Sequence, residues 1–177
     1  KVLTPGQKVV GEGIFRNAAA WILLHELAHL DLRHSASTIE NEKEADKYAT
    51  DWMSTEASKS TKADVPADRL AANLGIATAL MWLSVFDIFF GVEPETTHQH
   101  TFYRLEDCLD SIVKKDDEFE YIGTWLSVQL ILFIHMQAAG FQFDEADGKK
   151  LSGDPRDVTK YLIQRIASED KTGCEQP

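Results

Sequence analysis

The stretch ILLHELAHLDLRH, residues 22–34, carries three histidines and a glutamate within an apolar run. Inside it, His25-Glu26-Leu27-Ala28-His29 is an H-E-x-x-H pattern. On a helix His25 and His29 lie one turn apart on one face, so both imidazoles reach a single Zn²⁺, and Glu26 sits beside a metal-bound water. That is the arrangement metal-assisted hydrolysis needs. The metal acidifies the water and polarises a carbonyl, while the glutamate takes the water proton and delivers it to the leaving amine. The competing reading is an ordinary helix whose histidines are capped or face solvent. It would have to hide two imidazoles and a carboxylate in a Trp/Leu/Ile-rich segment, which is costly unless they have partners.

A catalytic zinc wants a third protein ligand and an open fourth position. His34 follows His25 by nine residues, and no glycine is available to turn the chain back toward the metal, so it reads as the helix end, where an imidazole suits the dipole. Glu42 is the better ligand. In Asn41-Glu42-Lys43-Glu44-Ala45-Asp46 the residues Glu42 and Asp46 stand one turn apart. The first can ligate the metal, and the second can accept a hydrogen bond from a ligating histidine and fix its tautomer. Alone, this acidic run would read as a solvated helix start with i,i+4 pairs. The H-E-x-x-H pattern just upstream raises it to a ligand segment, with Glu44 as the fallback. Further on, His98, His100, Tyr103 and Arg104 cluster in sequence. His98 or Tyr103 could stabilise an oxyanion; the histidines could equally form a solvated turn. Arg104 could pair with Asp46 or Glu42.

Taken together, these residues resemble the gluzincin metallopeptidases, whose third ligand is the glutamate of an E-x-x-x-D motif on the next helix. Thr97-His98 followed by Arg104-Leu105 is similar to the T-H-P…R-[IL] segment of HtpX-like and CAAX-prenyl-protease-like enzymes, with Gln99 where proline is usual. HELAHLDLRHS and the continuation EADKYATDWM are most similar to the Lit-type phage-exclusion peptidases. The resemblance, over roughly residues 20–106, implies a zinc peptidase with ligands His25, His29 and Glu42. It also implies a protein substrate, a host translation factor cleaved during phage infection.

Elements must hold these residues in place, and composition bounds what they build. The chain has 177 residues, enough for one domain with a real core. Asp and Glu number 29 against 18 Lys and Arg, a net charge of −11, which argues against nucleic acid or an anionic membrane surface as the partner. Two cysteines, Cys108 and Cys174, cannot make a disulfide framework, so a reducing, cytoplasmic setting is expected, with membrane association as the alternative. The start at Lys1, without a leader, reads as an internal fragment.

Residues 1–13, with Pro5 and three glycines, read as a loose lead-in with a short strand near 8–10. The segment 14–57 is a metal-binding helix pair. Its first helix, to about Arg33, is apolar on most of its circumference and belongs in the core; its second has Ser37 and Thr38 as candidate N-caps and a buried stripe of Ile39, Ala45, Tyr48, Ala49, Trp52 and Met53. Residues 58–66 are a linker, 66–140 hold core helices and 141–177 form a polar C-terminal segment with an amphipathic helix over 155–167. The runs at 74–92 and 122–140 approach the roughly 20 residues needed to span a bilayer. Asp87, Gln129 and His135 interrupt them, so both are read as buried helices and His135 as a core histidine. DEADGKK at 144–150 is a faint calcium-loop match lacking the final glutamate. No alternating strand pattern occurs. The expectation is a single, mostly α domain of about six helices with at most a small β element, and the activity a zinc endopeptidase. A zinc-stabilised sensor using the 70–90 surface, and an HtpX-like membrane-associated quality-control protease, are the competing functions.

Overall fold

Helix α1 covers Pro5–Asp31 in the computed structural model of the chain, which describes residues 2–36, 38–59, 65–90, 101–138 and 140–173, leaving aside the side chains at 86–90, 145–146 and 169–173. Its start corrects the loose lead-in expected over 1–13. Thr4 accepts from the Gln7 backbone N–H, the Gln7 side chain accepts from the Thr4 N–H at 2.9 Å, and Pro5 fills the first turn. This reciprocal capping box starts the helix through local chemistry, three glycines notwithstanding.

Six further helices follow: α2 (Ile39–Ala57), α3 (Val65–Phe90), α4 (Thr101–Ile112), α5 (Glu118–Ala138), α6 (Glu145–Lys150) and α7 (Pro155–Gly173). No strand occurs among the described residues, so the mostly α expectation holds without its small β element. The short α6 falls on DEADGKK, the faint calcium-loop match.

The packing is organised around α3, which touches α1, α2, α4 and α5, while α5 in turn carries α7. Ala72, Ile76, Ala77, Ala79 and Leu80 of α3 are buried, so the helix expected to offer a partner surface is largely interior. Gly75 sets the α1–α3 distance: a Cβ there would lie 2.3 Å from Asn17 Cβ and 2.9 Å from the Asn17 carbonyl carbon. Only a residue without Cβ lets the two backbones come this close. The core is completed by Phe102, Leu105 and Leu109 of α4, Trp125, Val128 and Leu132 of α5, and Leu162, Ile163 and Ile166 of α7. Burying each such side chain contributes about 1.5–3 kcal/mol.

Two buried faces differ from the expected ones. On α1 the buried residues are Ala18, Trp21, His25 and Ala28, whereas Leu23, Leu27 and Leu30 are exposed, Leu30 by 75%. On α2 the buried stripe is Glu42, Ala45, Asp46, Ala49, Thr50 and Met53, with Tyr48 and Trp52 exposed. Apart from Trp21 and Met53, each helix thus turns mainly small and polar residues inward and leaves several large apolar ones outside. Small residues bring α1, α2 and α3 close together, and the site is built in that seam. Along α5 one face is buried and the other presents Phe119, Ile122, Leu126, Leu130 and Ile134 to the outside. Among the described residues α5 is the one helix long and apolar enough to cross a membrane.

Candidate metal centre

His25 and His29 project from one face of α1 toward Glu42 in the first turn of α2. Their donor atoms converge. His25 Nε2 lies 3.1 Å from His29 Nε2 and 3.3 Å from Glu42 Oε2, and His29 Nε2 lies 3.5 Å from Glu42 Oε1. Four donors bound tetrahedrally to Zn²⁺ at 2.0–2.1 Å stand about 3.3 Å apart, and the three separations bracket that figure. Two imidazole nitrogens facing each other beside a carboxylate form a set of acceptors that calls for a cation. The residues therefore fit a zinc ion, and the ligand set expected from sequence is the one brought together. Glu26, the neighbour of His25 in sequence, is exposed, and a shallow depression is lined by His29, His34, Ser35, Ala36 and Glu42.

Behind His25 lies a buried polar relay. Asp46 Oδ1 approaches His25 Nδ1 at 2.9 Å, off the axis of the ring N–H. The same carboxylate accepts from Arg104 Nε at 2.8 Å and Nη2 at 2.7 Å, so Arg104 of α4 grips it in a bidentate fork. Arg104 Nη2 also stands 3.7 Å from Glu42 Oε2. Asp46 thus stands behind His25, and of the two partners open to Arg104 it is Asp46 that receives the fork. Burial works against the Asp46 charge, but the Arg104 hydrogen bonds and the adjacent His25 imidazole prevail and hold its carboxyl below the usual range. Burial likewise works against a charged His25; bonds to Asp46 and Glu42 overcome it and raise the imidazole to about 9. An imidazole flanked by two carboxylates sits in a field that favours positive charge. Trp21 braces the ring from below: it stacks on His25 with centroids 5.5 Å apart, and its Nε1–H donates to Thr50 Oγ1 at 3.0 Å.

His34 is more than the helix end expected of it. Arg33 adopts φ 57°, and with it the His34 N–H bonds the His29 carbonyl at 2.9 Å and the Arg33 N–H bonds the Leu30 carbonyl at 3.2 Å. These are the paired bonds of a Schellman motif, made without the usual glycine. The turn folds the His34 ring back onto His29, Nδ1 to Nδ1 at 2.9 Å, and its Nε2 meets Glu44 Oε2 at 3.1 Å. Glu44, the fallback ligand, therefore faces His34 and not the three converging donors. No sequence signal announced this, because a positive φ at arginine leaves no mark in composition.

Tyr103 is half-buried and packs against the apolar core cluster. His98 and His100 lie outside the described residues, as does Cys174. Cys108 is buried beside Thr50, and burial pushes its thiol far up, so it is inert packing. His135 meets Phe102 edge-on at 5.2 Å, consistent with a core-edge histidine.

The Peptidase U49 family model matches residues 3–126. The Cell death peptidase of Escherichia coli (strain K12) is 28% identical over 149 residues, covering 82% of this chain and 48% of that protein. The chain spans about half the length of that curated relative. No solved structure matches it. The family match takes in α1, α2 and α4, the three helices that supply the converging donors and their outer partners, and it covers well over half of the chain, which belongs to the Peptidase U49 family of peptidases.

Proposed function

We propose that the chain is a zinc-dependent endopeptidase whose metal is held by His25, His29 and Glu42. The observation that carries this reading is the set of three donor atoms at 3.1–3.5 Å separations, with the Asp46–Arg104 fork behind one of them. A zinc ion at that point supplies the Lewis acidity that peptide hydrolysis needs. Glu26, next to His25 and exposed, would take a proton from the attacking water and pass it to the leaving amine. Asp46 holds His25 with its proton on Nδ1 and its lone pair on Nε2, and Arg104 holds Asp46. Oxyanion stabilisation falls to His98 or to Tyr103 of α4. The substrate is a protein. Resemblance to the Lit-type peptidases nominates a host translation factor and a cytoplasmic site of action.

Glu26→Gln is the direct test. Full zinc content by metal analysis with hydrolysis reduced about 10²–10⁴-fold is expected, and a proteome-wide search for new N-termini should find them with the wild type only. Undiminished proteolysis by the zinc-loaded variant would refute the mechanism. Glu42→Ala should separately lower zinc content. A second reading, a zinc-stabilised domain that binds a partner or a membrane, draws on the exposed apolar face of α5. It predicts zinc binding without any Glu26-dependent cleavage.

A further inference from the structure

We infer that His34 is a positioning residue for the metal ligand His29, held in place by the Schellman turn at Arg33 and backed by Glu44. The inference rests on the proposal that His25, His29 and Glu42 hold zinc. Once His29 presents Nε2 toward His25 Nε2 and Glu42, its proton must sit on Nδ1, where His34 Nδ1 lies in reach as an acceptor at 2.9 Å. Accepting there puts the His34 proton on Nε2, which points at Glu44 Oε2, 3.1 Å away. One tautomer assignment satisfies the whole chain from Glu44 through His34 to His29. The two ligating histidines are then served in parallel, His25 by a buried carboxylate and His29 by a neutral imidazole.

The backbone is bent to make this contact. A non-glycine residue at φ 57° costs about 1–2 kcal/mol, and Arg33 accepts that strain in a turn whose product is the return of His34 to His29. The His34 side chain is 7% exposed, whereas the Glu44 side chain is 65% exposed, so the inner link is protected and the outer one is screened by solvent. The effect should therefore be large at His34 and small at Glu44.

The test is zinc affinity by competition with a chromophoric chelator, together with the visible spectrum of the Co²⁺ form, for wild type, H34A, H34N, E44A and H25A. Loss of an outer partner of a metal-ligating histidine weakens binding about 10–100-fold. H34A should show that loss and an altered Co²⁺ spectrum. H34N, whose amide oxygen can accept where Nδ1 did, should return to within about 3-fold of wild type, and E44A should stay within about 3-fold, as expected of a solvent-screened contact. If wild type binds zinc, H25A does not, and H34A binds like wild type, the inference fails and the metal site stands. If H34A is weakened and H34N is no better, the ring fills space and the inference again fails. If wild type and H25A are alike in holding no zinc, the metal reading falls and takes the inference with it.

Discussion

Asp46→Asn probes whether one carboxylate organises both His25 and Arg104. Asp46 is 4% exposed and accepts from Arg104 through both oxygens, while its Oδ1 also faces His25. Asparagine keeps the shape but turns one oxygen into a donor. Placed at Oδ1, the amide nitrogen would confront both Arg104 Nη2 and His25 Nδ1; placed at Oδ2, it confronts Arg104 Nε alone. The second orientation is cheaper, so His25 keeps an acceptor and Arg104 loses half of its fork and all of its counter-charge at that side. Removing one charge from a buried pair costs about 3–5 kcal/mol, and this is the expected loss in metal-free protein, read by urea unfolding in the presence of a chelator. Zinc affinity should fall by only about 10-fold, the low end for an outer partner, because the acceptor for His25 survives. At a fixed saturating free zinc concentration the stabilisation gained from the metal then shrinks by about 1.4 kcal/mol. Pairing D46N with R104Q should cost less than the two single losses added, since each removes the other's unpaired charge. A D46N protein whose metal-free stability lies within about 0.5 kcal/mol of wild type, the range of a neutral surface substitution, would refute the reasoning. Unchanged zinc affinity would refute its metal half.

Two other perturbations test the frame around the site. Gly75→Ala gains about 1 kcal/mol of helix propensity but drives a methyl into the Asn17 backbone, and overpacking costs about 1–3 kcal/mol or more. Because the clash is with backbone, net destabilisation of about 2 kcal/mol is expected, seen calorimetrically as a Tm lower by roughly 4–8 °C; an unchanged or raised Tm would mean that α1 and α3 do not meet there. Asp154, bonded by Lys115 and then Tyr121, has its carboxyl depressed from 3.8 to about 2. The unfolded chain takes up that proton at higher pH than the folded one, so the contribution is complete above pH 3.8 and is lost as pH falls toward 2. In D154N the stability against pH should be flatter across that window, and an identical acid slope in the two proteins would count against the Lys115–Asp154–Tyr121 cluster.

The three converging donors were legible because the chemistry they suit has a spacing. His25 and His29 one turn apart, and Glu42 and Asp46 one turn apart, put four polar groups on inward faces before any coordinates exist. The helices themselves were legible from apolar periodicity, but which face each one buries was not. Reading α2 by its apolar side chains puts Ala45, Ala49 and Met53 inside, as observed, but also Tyr48 and Trp52; the structure leaves those two exposed and buries Glu42, Asp46 and Thr50. An acidic pair such as Glu42 and Asp46 counts as surface until something across the seam compensates it, and Arg104 does so for Asp46 from 58 positions away in sequence. Periodicity sees one helix at a time, so it cannot credit that pairing.

The same blindness hid the outer partner of His29. Sequence logic looked for a glycine to turn the chain after α1 and, finding none, left His34 at the helix end. The turn forms anyway, with arginine in the left-handed region. A strained residue persists where its surroundings over-determine it, and here two backbone bonds and the His34–His29–Glu44 contacts act on the same few residues. The Schellman bonds fix where the helix stops, and that stop fixes how far His34 can reach. The end of α1 is therefore as much a part of the site as the H-E-x-x-H face that precedes it, and Arg33→Gly separates the two roles. Relief of the left-handed strain should raise stability by about 1 kcal/mol in urea unfolding while leaving zinc affinity unchanged, because glycine adopts the same φ and keeps His34 in place. A variant that gains no stability would show that the arginine side chain, and not the turn alone, holds His34 against His29.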